Sequence, residues 1–476
     1  MMRLENIYKR DHLKSLLTDI RFWIVFFFLL RLIGIDNAPL EIGHNWRQSL
    51  TAMIARNFYE HGLNLFHPMV DLAGEKTGII GSEFPFFNFL IYLFAEIFGY
   101  AHWYGRLINL VVSSFGLYFF YKLINELLNK KTAFSATIVL TVSIWFSFSR
   151  KIMPDTFSVA LMIIGLYFGY RYLKEGKLLS LLLFFVLSTL GTLCKIPALS
   201  LFSVLALVLF MPAVPLFRKA ALYVAAITGL LMVGLWYFSW VPHLLETYHT
   251  QLYFPRTITE GMHEIAGLIP QTLEKFYFSS FKSFLAFFCF LAGIVMLIKN
   301  KNKWLISGTG IIFLVFVVFI FKTGEVFAHH NYYIIPFTPV MAVITGYFLA
   351  IIPSKFRYII LFIIVIEAIA NQQHDFFIKE SNKYRLELEE LADQYIGEDD
   401  LIVINGGQSP QHIYFANRKG WTVENEVATN TTVLDSLAGH GAKYFILVKQ
   451  RLNRDIPKYD QIYEGEHYGI YKLDGY

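Results

Sequence analysis

Eleven apolar runs, and the Lys/Arg clusters between them, decide what this chain can fold into. A spanning helix needs about 20 apolar residues, with about 17 tolerated. Runs that approach this length lie at about 20–35, 103–124, 132–149, 154–173, 178–195, 198–212, 219–241, 283–299, 304–322, 333–352 and 357–371. The chain is 55% hydrophobic and only 16% charged, where soluble domains carry about 25% charged residues. Its 47 Phe, 28 Tyr and 8 Trp suit helices facing lipid and an aromatic belt at the interface. The chain therefore reads as an integral membrane protein.

The basic clusters set the threading. Lys130-Lys131, Arg171/Lys174/Lys177, Arg218-Lys219, Lys299/Lys301/Lys303 and Lys355/Arg357 all fall on the cytoplasmic side if the apolar segment 84–99 lies in the outer interface instead of crossing. Pro85 and Glu96 suit that placement. Eleven spans follow, with the N-terminus inside and the C-terminus outside. The basic N-terminus (Arg3, Lys9, Arg10, Lys14, Arg21) before the first run reads as a retained signal anchor. Topology thus accounts for the net charge of +5, and nucleic-acid binding is not required.

Two domains are expected. Residues 1–371 form an all-α polytopic membrane domain, whose first outer loop, 36–102, holds helices at 45–61 and after Glu83. Residues 372–476 become charged and periodic, and read as a small extracytoplasmic α/β domain. In it Tyr384, Leu388, Leu391 and Tyr395 recur at helical spacing, and 401–405, 443–448 and 467–473 read as strands. Ser409-Pro410 suits a helix N-cap and first position. Gly406-Gly407 follows a strand, but no Gly-x-Gly-x-x-Gly is present, so a tight turn is expected there and not a nucleotide site. Cys194 and Cys289 both sit in apolar runs, which argues against a disulfide or zinc-thiolate site.

A second set of basic residues breaks the topological rule. Arg47, Arg150, Lys151 and Lys195 land on the outer face, near Glu83, Asp155 and His329-His330, an arrangement suited to an anionic ligand. Asp155 follows Pro154 at a helix start, as either a dipole-stabilising or a functional carboxylate. Arg150 and Lys151 precede it. Lys195 ends its span, either to complement a helix C-terminus or to contact phosphate. Arg47 offers a planar fork for phosphate, within His44-Asn-Trp46-Arg47-Gln48, where Trp46 also suits an interfacial anchor. Asp71 and Glu83 are the loop's other acidic candidates. His330 and Tyr332 offer hydrogen bonds to a polar ligand. Adjacent histidines are a weak metal signal, and a metal there would need a carboxylate such as Glu83. His263-Glu264 lacks the second histidine of a zinc-protease motif, since Gly267 stands in its place.

Taken in order, these residues resemble the polytopic GT-C glycosyltransferases, in particular glycosyltransferase family 39 with its aminoarabinose transferases and dolichyl-phosphate-mannose protein mannosyltransferases. The similarity covers roughly residues 20–350. It rests on Ala52-Met-Ile-Ala-Arg-Asn-Phe58, Glu83-Phe-Pro85, Arg106, Met153-Pro-Asp155, Gly191-Thr-Leu-Cys-Lys195 and Tyr332-Tyr-Ile-Ile-Pro336. The resemblance implies an inverting enzyme at the outer face of a bacterial inner membrane, taking a sugar from a polyprenyl-phosphate carrier to a lipid, glycan or protein acceptor of the envelope. It assigns Asp155 and Glu83 to the family's acidic positions and Lys195 to the donor phosphate. Arg47-Gln48 stand where the family commonly has an acidic pair, so either the catalytic base falls to Asp155, Asp71 or Glu83, or this branch uses another arrangement. Arg47, Arg150, Lys151 and Lys195 are the donor-phosphate candidates, and His44, Trp46, Gln48, His330 and Tyr332 the substrate-binding ones. The sequence singles out no cofactor, and a divalent metal is compatible with it. A lipid-sugar flippase and a lipid-linked oligosaccharide ligase or polymerase are the rival readings. Transporters place polar groups near the midplane, whereas Arg31, Arg106 and Glu367 all lie near outer helix ends.

The threading makes a direct prediction. Single cysteines introduced into a Cys194/Cys289-free background are expected to react with an impermeant reagent in intact spheroplasts at Gln271 and Asn430, and to be protected at Asn302. Labelling at 302 would contradict the scheme.

Overall fold

The computed structural model describes residues 15–250, 255–452 and 458–473. Arg3, Lys9, Arg10 and Lys14 lie outside the described residues. The chain divides into two compact units. One comprises Met1–Ile35, Arg106–Tyr237 and Phe254–Phe376; the other comprises Asp36–Gly105, Phe238–Tyr253 and Phe377–Tyr476. The first outer loop therefore belongs to the same unit as the tail.

The chain is a mostly helical membrane protein. Among the described residues, Tyr104–Leu127, Pro154–Glu175, Leu216–Tyr248 and Lys303–Thr323 are long and apolar enough to cross a membrane. Ile269–Ser279 and Phe284–Lys299, bent by 95°, supply one more if they count as a single span. Several other apolar runs give shorter helices, for local reasons. The run 132–149 breaks at Ser143 into Lys130–Val142 and Trp145–Phe148. The run 198–212 winds as an α-turn, Leu199–Phe202, and then as a 3₁₀ segment, Ser203–Phe210. The run 333–352 starts with the 3₁₀ turn Asn331–Ile334 and becomes α-helical only at Thr338, past Pro336, whose missing N–H cannot serve a helix interior.

One helical hairpin organises the first unit. Pro154–Glu175 begins with proline at its first position and ends at Gly176, whose φ of +75° is the left-handed conformation of a glycine cap. Leu178–Cys194 then runs back along it. Small residues bring the two backbones together. A Cβ on Gly165 would fall 2.9 Å from the Ser188 nitrogen, and one on Gly191 would fall 2.9 Å from the Ser158 carbonyl. Ser158 Oγ donates to the Gly191 carbonyl at 2.7 Å. In lipid, where apolar burial gives helices little drive to associate, such close approach and polar bonding supply it. The hairpin necessarily brings the start of its first helix beside the end of its second.

The second unit holds the helix Asn45–His61, the apolar helix Phe86–Phe98 and the tail. The tail's sheet has strands β1 (Leu401–Ile404), β2 (Gly420–Thr422), β3 (Ala442–Val448), β4 (Asp460–Glu464) and β5 (Tyr468–Lys472) in the order β2-β1-β3-β5-β4. β1, β2 and β3 are parallel, while β5 and β4 form an antiparallel edge. Three of these strands match the sequence expectation. β2 has only three residues and β4 is polar and mostly exposed, so neither carries a hydrophobic pattern to detect.

The loop and the tail are stitched together through backbone. Gly420 N–H donates to Asp71 at 2.9 Å and Gly74 N–H donates to Gly420 at 2.8 Å. Gly74 has a φ of +58°, and a Cβ there would strike the Trp421 ring. Arg56 spans the joint. Its Nη1 donates to the Tyr414 carbonyl at 2.8 Å, its Nη2 to Asp71 at 3.2 Å, and its guanidinium lies 4.5 Å from the centre of the Tyr414 ring.

Candidate active site

In the first unit the hairpin places Asp155 and Lys195 together, with Oδ1 and Nζ 3.9 Å apart. Asp155 is 5% exposed and its Oδ2 has no hydrogen-bond partner among the described residues. Lys195 Nζ lies 5.9 Å from the ring centres of both Tyr332 and Tyr333, so two aromatic faces border the ammonium. His330 stacks on Tyr332 with ring centres 5.5 Å apart. Burial pushes its imidazole below the ordinary histidine range, with the charges of His329 and Lys275 acting the same way. His330 is thus neutral near pH 7 and suited to hydrogen bonding.

The turn before Asp155 is held by a residue the sequence reading passed over. Asn109 donates to the carbonyls of Phe148, Lys151 and Met153 at 3.1, 2.8 and 3.1 Å, and accepts from Thr156 at 3.0 Å. An amide inside the apolar run 103–124 is the signal that would have found it, since a polar group there must find partners.

Arg150, expected at the donor phosphate, meets backbone carbonyls through one of its nitrogens. Its Nη2 donates to the carbonyls of Ile33 and Gly34 at 2.8 and 2.7 Å, and its guanidinium lies 4.2 Å from the centre of the Phe376 ring. A cation here complements the carbonyls that follow the first helix. Lys151 is fully buried, with its ammonium 5.7 Å from the centre of the Phe148 ring.

The second unit gathers a different group. Arg47 and Glu83 form an ion pair beside a cavity of about 30 Å³ lined also by Thr51, Ser82 and Asn88. That volume admits a water or a single hydroxyl-sized group. Arg47 is thereby already matched by a carboxylate. Gln48 is fully buried, and its Nε2 lies 3.5 Å from the Gly43 carbonyl. His44 precedes the helix in a left-handed conformation, φ 58°. Trp46 donates to the Gln408 carbonyl at 2.9 Å and so anchors the loop to the tail. Asp71 accepts from Arg56 at 3.2 Å and from Asn57 at 2.8 Å, so protein donors meet both of its oxygens. Glu264, of the rejected protease-like pair, accepts from Arg256 at 2.7 Å. Among the described residues no group of three or more His, Cys, Asp or Glu is arranged to hold a metal.

Comparison with known proteins defines the class of fold. Residues 82–238 match the model of the dolichyl-phosphate-mannose-protein mannosyltransferase family. Crystal structures of ArnT from Cupriavidus metallidurans, in the apo state and bound to undecaprenyl phosphate, superpose with a TM-score of 0.58 at 11% and 10% identity, covering 95% of this chain and 98% of theirs. The archaeal oligosaccharyltransferase AglB from Archaeoglobus fulgidus, in complex with an inhibitory peptide and a dolichol-phosphate, gives 0.56 at 12% identity over 96% of this chain and 74% of its own. The arabinofuranosyltransferase AftD from Mycobacteria gives 0.53 at 10% identity over 96% and 40%. No curated protein sequence matches significantly. The chain has the fold of the GT-C glycosyltransferases, as the resemblance in its motifs implied. Its similarity to ArnT runs nearly end to end and includes the tail.

The two carboxylates should separate experimentally. Asp71→Ala breaks a buried pair and is expected to cost about 3–5 kcal/mol of stability, read as a lowered melting temperature in detergent. Asp155→Asn, which removes a charge from a carboxylate with an unpartnered oxygen, is expected to leave the melting temperature nearly unchanged.

Proposed function

We propose that this chain is a glycosyltransferase that moves a sugar from a polyprenyl-phosphate carrier to an acceptor hydroxyl of the cell envelope, at the outer face of a bacterial inner membrane. The observation that carries the reading is the Asp155–Lys195 pair, a buried carboxylate with one unpartnered oxygen next to a lysine bordered by two tyrosines. The matched family and the solved structures supply the reaction class. ArnT bound to undecaprenyl phosphate and AglB in complex with a dolichol-phosphate favour a lipid-phosphate donor.

In this reading the acceptor oxygen attacks the anomeric carbon as the bond from that carbon to the phosphate oxygen breaks. The hydroxyl proton passes to Asp155, acting as general base. The departing polyprenyl phosphate needs cationic stabilisation and no general acid, and Lys195 provides it. Attack opposite the leaving group inverts the anomeric centre. His330 and Tyr332 supply hydrogen bonds and aromatic surface to the sugar. Asn109 is a positioning residue, since it holds the turn from which Asp155 projects. Within the second unit, the cavity at Arg47 and Glu83 has room for a single polar group, and Gln48 and His44 lie at the start of the helix that carries Arg47.

Eleven spans, an inward N-terminus and an outward tail complete the proposal, with residues 84–99 lying in the interface. The shorter helices fit this threading where a 3₁₀ turn or a proline break completes the crossing.

The donor class is the test. Purified protein is expected to transfer sugar from synthetic undecaprenyl-phosphate donors and to show no transfer from nucleotide sugars alone. Transfer from nucleotide sugars without a lipid carrier would refute the reading.

A further inference from the structure

We propose that the carboxyl edge of the tail's parallel strands is a second ligand site, which binds a phosphate-bearing group through Arg385 and Arg451 beside the turn Asn405-Gly406-Gly407. The site lies in the tail and is independent of the transfer chemistry assigned to Asp155 and Lys195.

The topology creates the place. From β1 the chain passes through the short helix Gln411–Ala416 to β2 on one side, while from β3 it turns to the antiparallel edge on the other. Between the carboxyl ends of β1 and β3 the connections diverge, and there open α/β sheets leave a ligand crevice. Its floor is fixed by Asn405, fully buried, whose Oδ1 accepts from Val448 N–H at 2.6 Å and whose Nδ2 donates to Asn425 at 3.2 Å.

The two glycines keep side chains away from polar atoms. Gly407 has a φ of +66°, and a Cβ there would fall 2.5 Å from Arg451 Nη2, so the guanidinium lies against bare backbone. A Cβ on Gly406 would fall 2.7 Å from Thr422 Oγ1 and 3.2 Å from His412 Nδ1. His412 is 1% exposed and Gln411 4%, yet His412 Nδ1, Gln411 Nε2 and Arg385 Nε have no hydrogen-bond partner among the described residues. Buried polar atoms are seldom left unpaired, and each of these calls for a bound group or a water.

The charge balance points to an anion. Arg385 lies over the Tyr384 ring at 4.7 Å and donates to Asn382 at 2.8 Å, with no carboxylate partner among the described residues. Arg451 pairs with Glu424 at 3.0 Å, but both side chains are about a third or more exposed, and such surface pairs exchange readily for a better anion. Burial, reinforced by Arg385 and Arg451, pushes His412 down to about 3, so the imidazole is neutral and the two arginines carry the charge. Guanidinium forks match phosphate oxygens two at a time. A phosphorylated glycan and an anionic lipid headgroup both present that chemistry.

The experiment uses the full chain in neutral detergent with Lys195→Ala, which removes the anion affinity expected of the donor site. Inorganic phosphate is titrated by calorimetry against chloride at constant ionic strength. Saturable phosphate binding is expected. It should weaken at least tenfold in Arg385→Gln/Arg451→Gln with the melting temperature unchanged, and weaken less in Arg385→Lys/Arg451→Lys. Repeating the titration in nanodiscs separates the sources. Phosphate displaced by phosphatidylglycerol, but not by phosphatidylcholine, assigns the site to a lipid headgroup; phosphate binding equal in both assigns it to a soluble or glycan-borne phosphate. Absence of saturable binding, or binding unaltered in the Gln double variant, overturns the proposal. Neither result would bear on transfer from the lipid donor.

Discussion

The first unit depends on the close approach of two helices that lipid alone would not drive together. Gly165 and Gly191 remove the side chains that would hold Pro154–Glu175 and Leu178–Cys194 apart, and Ser158 bonds across the gap. Because Gly176 turns the chain back at the far end, a carboxylate at the first residues of one helix must face a lysine that caps the other. The chemistry assigned to Asp155 and Lys195 is thus a consequence of hairpin geometry. Asn109 then fixes the turn that delivers the carboxylate.

The second unit is governed by a different interaction, the buried guanidinium of Arg56. It joins the first-loop helix to Asp71 and to the tail at Tyr414, and neighbouring backbone bonds extend the joint to Gly74 and Gly420. The tail is therefore structurally continuous with the first loop. Both Asp71 oxygens are met by protein donors, whereas Asp155 keeps one oxygen without a hydrogen-bond partner among the described residues.

Much of this was legible in the sequence because the bilayer imposes a simple code. The apolar runs and basic clusters carry the membrane class, and out-of-place cations drew attention to Lys195 and Asp155. The helix Asn45–His61 and three of the tail's strands were likewise readable from periodicity. What was hidden were the partners. The sequence does not show that Arg150 also meets the carbonyls of Ile33 and Gly34, more than a hundred residues away, through one nitrogen. Nor does it show that Arg56 and Asn57 meet Asp71. A charge in sequence states only that a partner is needed; tertiary structure decides whether that partner is protein or substrate. Short elements such as β2 and β4 were missed because three residues, or an exposed polar edge, carry no period.

The central claim is a division of labour across the hairpin, with Asp155 acting on the acceptor proton and Lys195 on the donor phosphate. Single-turnover transfer measured beside binding of the polyprenyl-phosphate donor tests it most directly. Asp155→Asn is expected to slow transfer by about 10²–10⁴-fold while donor affinity stays close to that of the unaltered protein. Lys195→Ala is expected to weaken donor binding. Near-normal turnover in Asp155→Asn, or unchanged donor affinity in Lys195→Ala, would contradict the account.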